Sequence, residues 1–136
     1  MNKKLVAITA LAGAAVWPVM AADSSALQAT TSIAEMMNRI VRPTSDAVFY
    51  VASEAPDSDA GWQDLENKAL MLAESANLLL MPGYVQANER WAQDVALMKE
   101  AALAAFEAAK NRDVPLLEEL GNTLYESCES CHTATR

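Results

Sequence analysis

Residues 59–83 read DAGWQDLENKALMLAESANLLLMPG, and this stretch decides the fold because its apolar residues recur at helical spacing. The apolar seam consists of Trp62, Leu65, Ala69, Leu72, Ala76 and Leu79. Intervals that alternate between three and four residues place one stripe along a helix and are typical of helices that pack in bundles. Ser58 or Asp59 can cap this helix, and Pro82-Gly83 predicts its end.

Three further helices are predicted on either side of this stretch. Residues 24–41 form the first, which Pro43 ends or kinks before residues 46–53 resume it, because proline disfavours helical geometry in the residue before it. Residues 87–111 form the third helix, and the fourth begins near Asp113 and runs to the C-terminus. Short loops between the four helices predict an all-α fold, an antiparallel four-helix bundle.

The seam of the third predicted helix is made largely of small side chains, Ala102, Ala105 and Ala109. An alanine where a core usually holds leucine leaves a void worth about 2–5 kcal/mol if it stays empty. Two explanations are open at this point. Either a buried non-protein group fills the space, or the helices approach one another more closely.

The N-terminus predicts a secretory signal peptide over residues 1–21. Lys3 and Lys4 precede an apolar run that ends before Pro18, and small residues follow, with cleavage after Ala21, or alternatively after Ala22. A membrane anchor is the alternative, but a spanning helix needs about 20 apolar residues and this run is shorter. We therefore expect an exported, periplasmic protein whose single domain covers residues 22–136 and does not span the membrane.

The predicted mature chain is strongly acidic. The formal net charge is −8, and loss of the two signal-peptide lysines makes it −10. Such a surface repels phosphate backbones, which argues against a nucleic-acid partner and favours a basic protein partner.

The only two cysteines and the only histidine lie together in Cys128-Glu129-Ser130-Cys131-His132. This spacing is the attachment pattern of c-type haem: two thiols can bond the vinyl groups of one porphyrin, and the imidazole can bind its iron. On a helix, positions i, i+3 and i+4 share one face. A zinc site would lack ligands, and a thioredoxin-like dithiol would require a βαβ pattern. A plain disulfide is the main remaining alternative.

A haem motif at the C-terminal end of an exported, all-α chain resembles the class II c-type cytochromes, the cytochrome c prime superfamily. Residues 37–43, 73–83 and 124–128 are similar to stretches of that family. The resemblance implies one covalent haem c with His132 as an axial ligand, and such bundles often form homodimers. In the low-spin branch, a methionine of the first helix is the second axial ligand; Met37 matches that position, and Met36 is the reserve candidate.

The function implied by this resemblance is that of a periplasmic carrier of single electrons that exchanges them with redox partner proteins and is not an enzyme. The alternative is a five-coordinate haem protein of the cytochrome c prime kind that binds NO or CO, in which Met37 only packs. A peroxidase is less favoured, because distal proton transfer needs an acid or base and His132 is already assigned to the iron.

Overall fold

The computed structural model describes residues 27–134, and every regular element in this range is helical. The predicted signal peptide lies outside the described residues. No helix within residues 27–134 combines the length and the apolar character needed to cross a membrane. Helix α1 has three consecutive segments, Ile33–Met36, Met37–Val41 and Arg42–Phe49. It is followed by α2 (Asp59–Leu79), α3 (Trp91–Lys110) and α4 (Val114–Ala134).

Contacts at the helix ends show that α2 and α3 are antiparallel. The indole Nε1 of Trp91, at the start of α3, donates a hydrogen bond to the carbonyl of Leu79, at the end of α2, at 3.0 Å. At the opposite end, Arg112 pairs with Asp59. The seam of α2 is buried as predicted, and its first turn is capped by the Ser58 hydroxyl, which accepts from the amide of Gly61 at 3.2 Å.

Helix α4 is antiparallel to both α3 and α1. Its last turns contact the start of α3, where Arg90 donates to the Ser130 hydroxyl at 2.9 Å. Its middle contacts the end of α1, where the rings of Phe49 and Tyr125 meet edge to face with centroids 6.5 Å apart. Helix α4 begins where the sequence predicts, and the Asp113 carboxylate caps it by accepting from the backbone amide of Leu116. The four helices are thus compatible with a helical bundle.

Helix α1 begins later than the sequence predicts, because residues 27–32 are not helical. The amide of Ala29 donates to the carbonyl of Pro82 at 3.0 Å, which attaches this segment to the loop after α2. The helix starts only after Ser32, whose hydroxyl accepts from the amide of Glu35. A tertiary hydrogen bond therefore replaces the first predicted helical turns.

Pro43 does not end α1, contrary to one of the two predicted outcomes. Proline has no amide hydrogen, and its ring clashes with the carbonyl four residues earlier in a regular helix. The segment Met37–Val41 is instead a wider π-helix, in which the amide of Arg42 donates to the carbonyl of Met37. The hydroxyl of Thr44 donates to the carbonyls of Ile40 and Val41 at 2.6 and 2.9 Å. The helix therefore continues through Pro43, with a wide turn before the proline and the Thr44 hydroxyl bonded to two carbonyls of that turn.

The alanine seam of α3 is closely packed. The side chains of Ala102, Ala105 and Ala109 are completely buried within one hydrophobic core that also contains residues of α2 and α4. The cavity that α3 borders near its start is lined by Val95 and Met98 rather than by these alanines. Of the two explanations for the small side chains, closer helix approach is the one that the structure favours.

Two glycines give opposite predictions for substitution by alanine. Gly83 has φ +96°, and a Cβ added there would lie 2.8 Å from that of Ala29, whereas a Cβ at helical Gly121 would meet only ordinary contacts near Val48 and Phe49. Gly83→Ala should lower the free energy of unfolding by about 1–3 kcal/mol. Gly121→Ala should raise it by about 0.5–1 kcal/mol. Urea unfolding followed by circular dichroism measures both, and changes of equal sign would contradict this account.

Candidate functional site

The last turns of α4 bring Cys128, Cys131 and His132 to one side of the bundle. The two thiols are half-buried and are not joined by a disulfide, whereas the His132 side chain is exposed. Ser127, just before the motif, is buried and donates to the carbonyl of Leu124 at 2.7 Å. The helical spacing therefore has the predicted effect, with two sulfurs directed inward and an imidazole at the rim.

A small, partly open cavity of about 40 Å³ lies where α1, α3 and α4 meet. The motif residues Cys128, Cys131 and His132 line it, and so does Met37 of α1. The other side chains that line it are mainly apolar (Val41, Leu79, Val95 and Met98), with Asp94 and Ser127 as the polar exceptions. The site thus combines sulfur and imidazole donors with mainly apolar surroundings.

Two open clefts adjoin this cavity. One has a volume of about 190 Å³ and is bordered by Ile33, Met37 and Trp91 together with Cys131 and His132. The other, of about 310 Å³, is bordered by residues 125–133 of α4, again including His132. Because His132 borders all three spaces, a group held by its imidazole could extend from the interior of the bundle to solvent.

The two candidate methionines of α1 have different surroundings. Met36 is 1% exposed and belongs to the hydrophobic core, whereas Met37 is half-buried and lines both the small cavity and the first cleft. Met37 is also the first residue of the π-helical segment. Short π-helical segments often occur at functional sites, because they change the direction of the side chains that they carry. The structure therefore brings Met37, and not Met36, to the motif.

The environment of the two thiols disfavours their ionised form. Burial raises the pKa of Cys128, although a hydrogen bond with Ser127 partly opposes this effect. Burial also raises the pKa of Cys131, and the negative charges of Asp94 and Cys128 add to the shift. The thiolate is the nucleophilic form of cysteine, so the folded chain without an attached group holds both sulfurs in a poorly reactive state.

The sequence analysis missed one buried residue of this site, Asp94. Its side chain is 0% exposed, lines the small cavity and accepts from the Ser130 hydroxyl through Oδ1 at 3.0 Å. The sequence did contain an indication of its burial, because Asp94 lies three residues after Trp91 and directly before Val95, on the inward side of α3. It was overlooked because aspartate is almost never fully buried.

Comparisons of the chain with protein-family models, with curated proteins and with solved structures find no match. Within residues 27–134, no group of three or more histidine, cysteine, aspartate or glutamate side chains is arranged to hold a metal ion. Haem iron differs from a protein-bound metal ion because the protein supplies only its axial ligands. The chemistry of the site must therefore be inferred from the motif, the cavity and their neighbours.

The raised pKa of both thiols predicts slow alkylation of the reduced protein when no group is attached to the sulfurs. At pH 8 the folded chain should react with iodoacetamide more slowly than the same chain in urea, because a smaller fraction of each thiol is ionised. The difference should shrink as the pH rises towards the raised pKa values. The single variants Cys128→Ala and Cys131→Ala report each thiol separately, and equal rates in the folded and unfolded chains would refute the prediction.

Proposed function

We propose that this chain is a periplasmic c-type cytochrome that carries single electrons through one covalently attached haem c. The observation that carries the proposal is the cavity that Cys128, Cys131 and His132 of α4 share with Met37 of α1. Two thiols at i and i+3 match the two vinyl groups of a porphyrin, and a histidine at i+4 matches the axial position. The donor set therefore fits a c-type haem.

Each residue has a separate task in this proposal. Cys128 and Cys131 form thioether bonds, and His132 binds iron through its imidazole. Met37 offers a thioether sulfur as the second axial ligand. The apolar side chains of Val41 and Val95, which line the cavity, would limit the access of water to a bound haem. Haem bound in this way supplies a one-electron couple, and methionine opposite histidine raises its reduction potential.

The space at the site is compatible with a partly exposed haem. The small cavity of about 40 Å³ is far smaller than a porphyrin, so most of the space would come from the two clefts that border His132. Such exposure suits an electron carrier, because a redox partner can then approach the edge of the cofactor. The acidic chain favours partner proteins with a basic docking surface. A homodimer and export through residues 1–21 belong to the same proposal.

A second candidate function is binding of a small gas molecule such as NO or CO. The small cavity supports it, because a volume of about 40 Å³ beside Met37, Val41 and Val95 can hold a small neutral ligand. In this case Met37 only packs against the cavity and the iron is five-coordinate. The two functions share the haem and differ in the occupant of the sixth position.

Haem attachment is tested by export of the full chain in a host that makes c-type cytochromes. The secreted protein should have the mass of the processed chain plus one haem, and its absorption spectrum should show a haem bound through thioethers. Cys128→Ala and Cys131→Ala should each reduce the yield of attached haem, because each removes one thioether bond. Colourless protein of unmodified mass from this host would refute the proposal.

Ligation by Met37 is tested with two methionine variants. Met37→Ala should convert a low-spin iron into a high-spin one with haem still attached, as judged by absorption and electron paramagnetic resonance spectra. Met36→Ala is the matched control: it should lower the free energy of unfolding by about 2–5 kcal/mol, as expected for a buried methionine, but leave the spectra unchanged. A wild-type ferrous protein that is high-spin and binds carbon monoxide at once would support the gas-binding function instead.

A further inference from the structure

Asp94 is connected to the haem motif by a small polar network. Its Oδ1 accepts from the hydroxyl of Ser130, which lies between the two cysteines of the motif, at 3.0 Å. That hydroxyl in turn accepts from Nη2 of Arg90 at 2.9 Å, and the same guanidinium nitrogen lies 3.6 Å from Oδ1 of Asp94. The network joins the start of α3 to the turn of α4 that carries the motif.

The charge of Asp94 is only partly compensated. Its Oδ2 is buried and has no hydrogen-bond partner among the described residues. The side chain of Arg90 is 59% exposed, so solvent and salt weaken its field at the site. Leaving a buried charged oxygen unpaired costs stability, and packing alone would favour an apolar residue beside Trp91 and Val95. The position of Asp94 therefore calls for an explanation other than packing.

We propose that Asp94 is a positioning and tuning residue that lowers the reduction potential of the haem, because it holds a buried negative charge in the wall of the haem site. This inference rests on the proposed function. Oxidation adds one positive charge to the iron, and a nearby negative charge in a poorly polarisable interior stabilises that state. The effect opposes that of the methionine ligand, which favours the reduced iron.

The choice of variants separates the charge of Asp94 from its structural role. Asp94→Asn keeps the volume and an oxygen that accepts from Ser130, but it removes the charge. Glu100→Gln is the control, since it makes the same change at an exposed position of the same helix. Arg90→Gln removes the cation of the network from an exposed position and provides a second test if the aspartate variant does not fold.

The experiment is a spectroelectrochemical titration of the haem-loaded proteins at one pH and one ionic strength. Asp94→Asn should raise the midpoint potential, Glu100→Gln should change it much less, and Arg90→Gln should lower it. Equal potentials for wild type and Asp94→Asn, with haem attached and spectra unchanged, would overturn this inference alone. If Asp94→Asn does not fold, an Arg90→Gln variant whose midpoint potential is unchanged or higher than that of the wild type would likewise overturn this inference alone. A wild-type chain that emerges without haem would overturn the proposed function, and this inference with it.

Discussion

The orientation of α4 about its own axis is the constraint on which the site depends. Leu117 and Leu124 are seven residues apart on one side of this helix, and both are completely buried. Cys131 continues the same line seven residues later, and Cys128 lies next to it. Burial of the leucines therefore turns the sulfurs inward, while His132, further round the helix, reaches the rim. Any group bound by all three side chains must lie across the boundary between core and solvent.

The position of Met37 at the site depends on how α1 accommodates Pro43. The missing amide hydrogen of Pro43 disrupts the regular helix, and the wide turn before it places Met37 against the cavity. Behind it, the Thr44 hydroxyl satisfies two carbonyls of the same turn. A residue that the sequence presents as a helix breaker thus belongs to the structure that positions a candidate ligand.

Sequence patterns correctly predicted the elements that are determined by interactions within one short stretch of the chain. Helix α2 was correctly predicted because a cap, a regular seam and a proline–glycine end all lie within its own stretch of chain. The predicted start of α1 was wrong, because a hydrogen bond from the amide of Ala29 to the carbonyl of the distant Pro82 competes with helical geometry. The spacing of the motif predicted that its side chains share one face. The burial of Asp94 could not be deduced in this way, because it depends on Ser130 and Arg90 in a folded network.

The π-helical segment also makes α1 sensitive to chain length. A wide turn carries one residue more than a regular turn, and here it directly precedes Pro43. Loss of a single residue between Met37 and Val41 would force this turn towards ordinary helical geometry, in which the proline ring clashes with the carbonyl four residues earlier. Such a deletion would therefore kink α1 between Met37 and Pro43 rather than leave a regular helix.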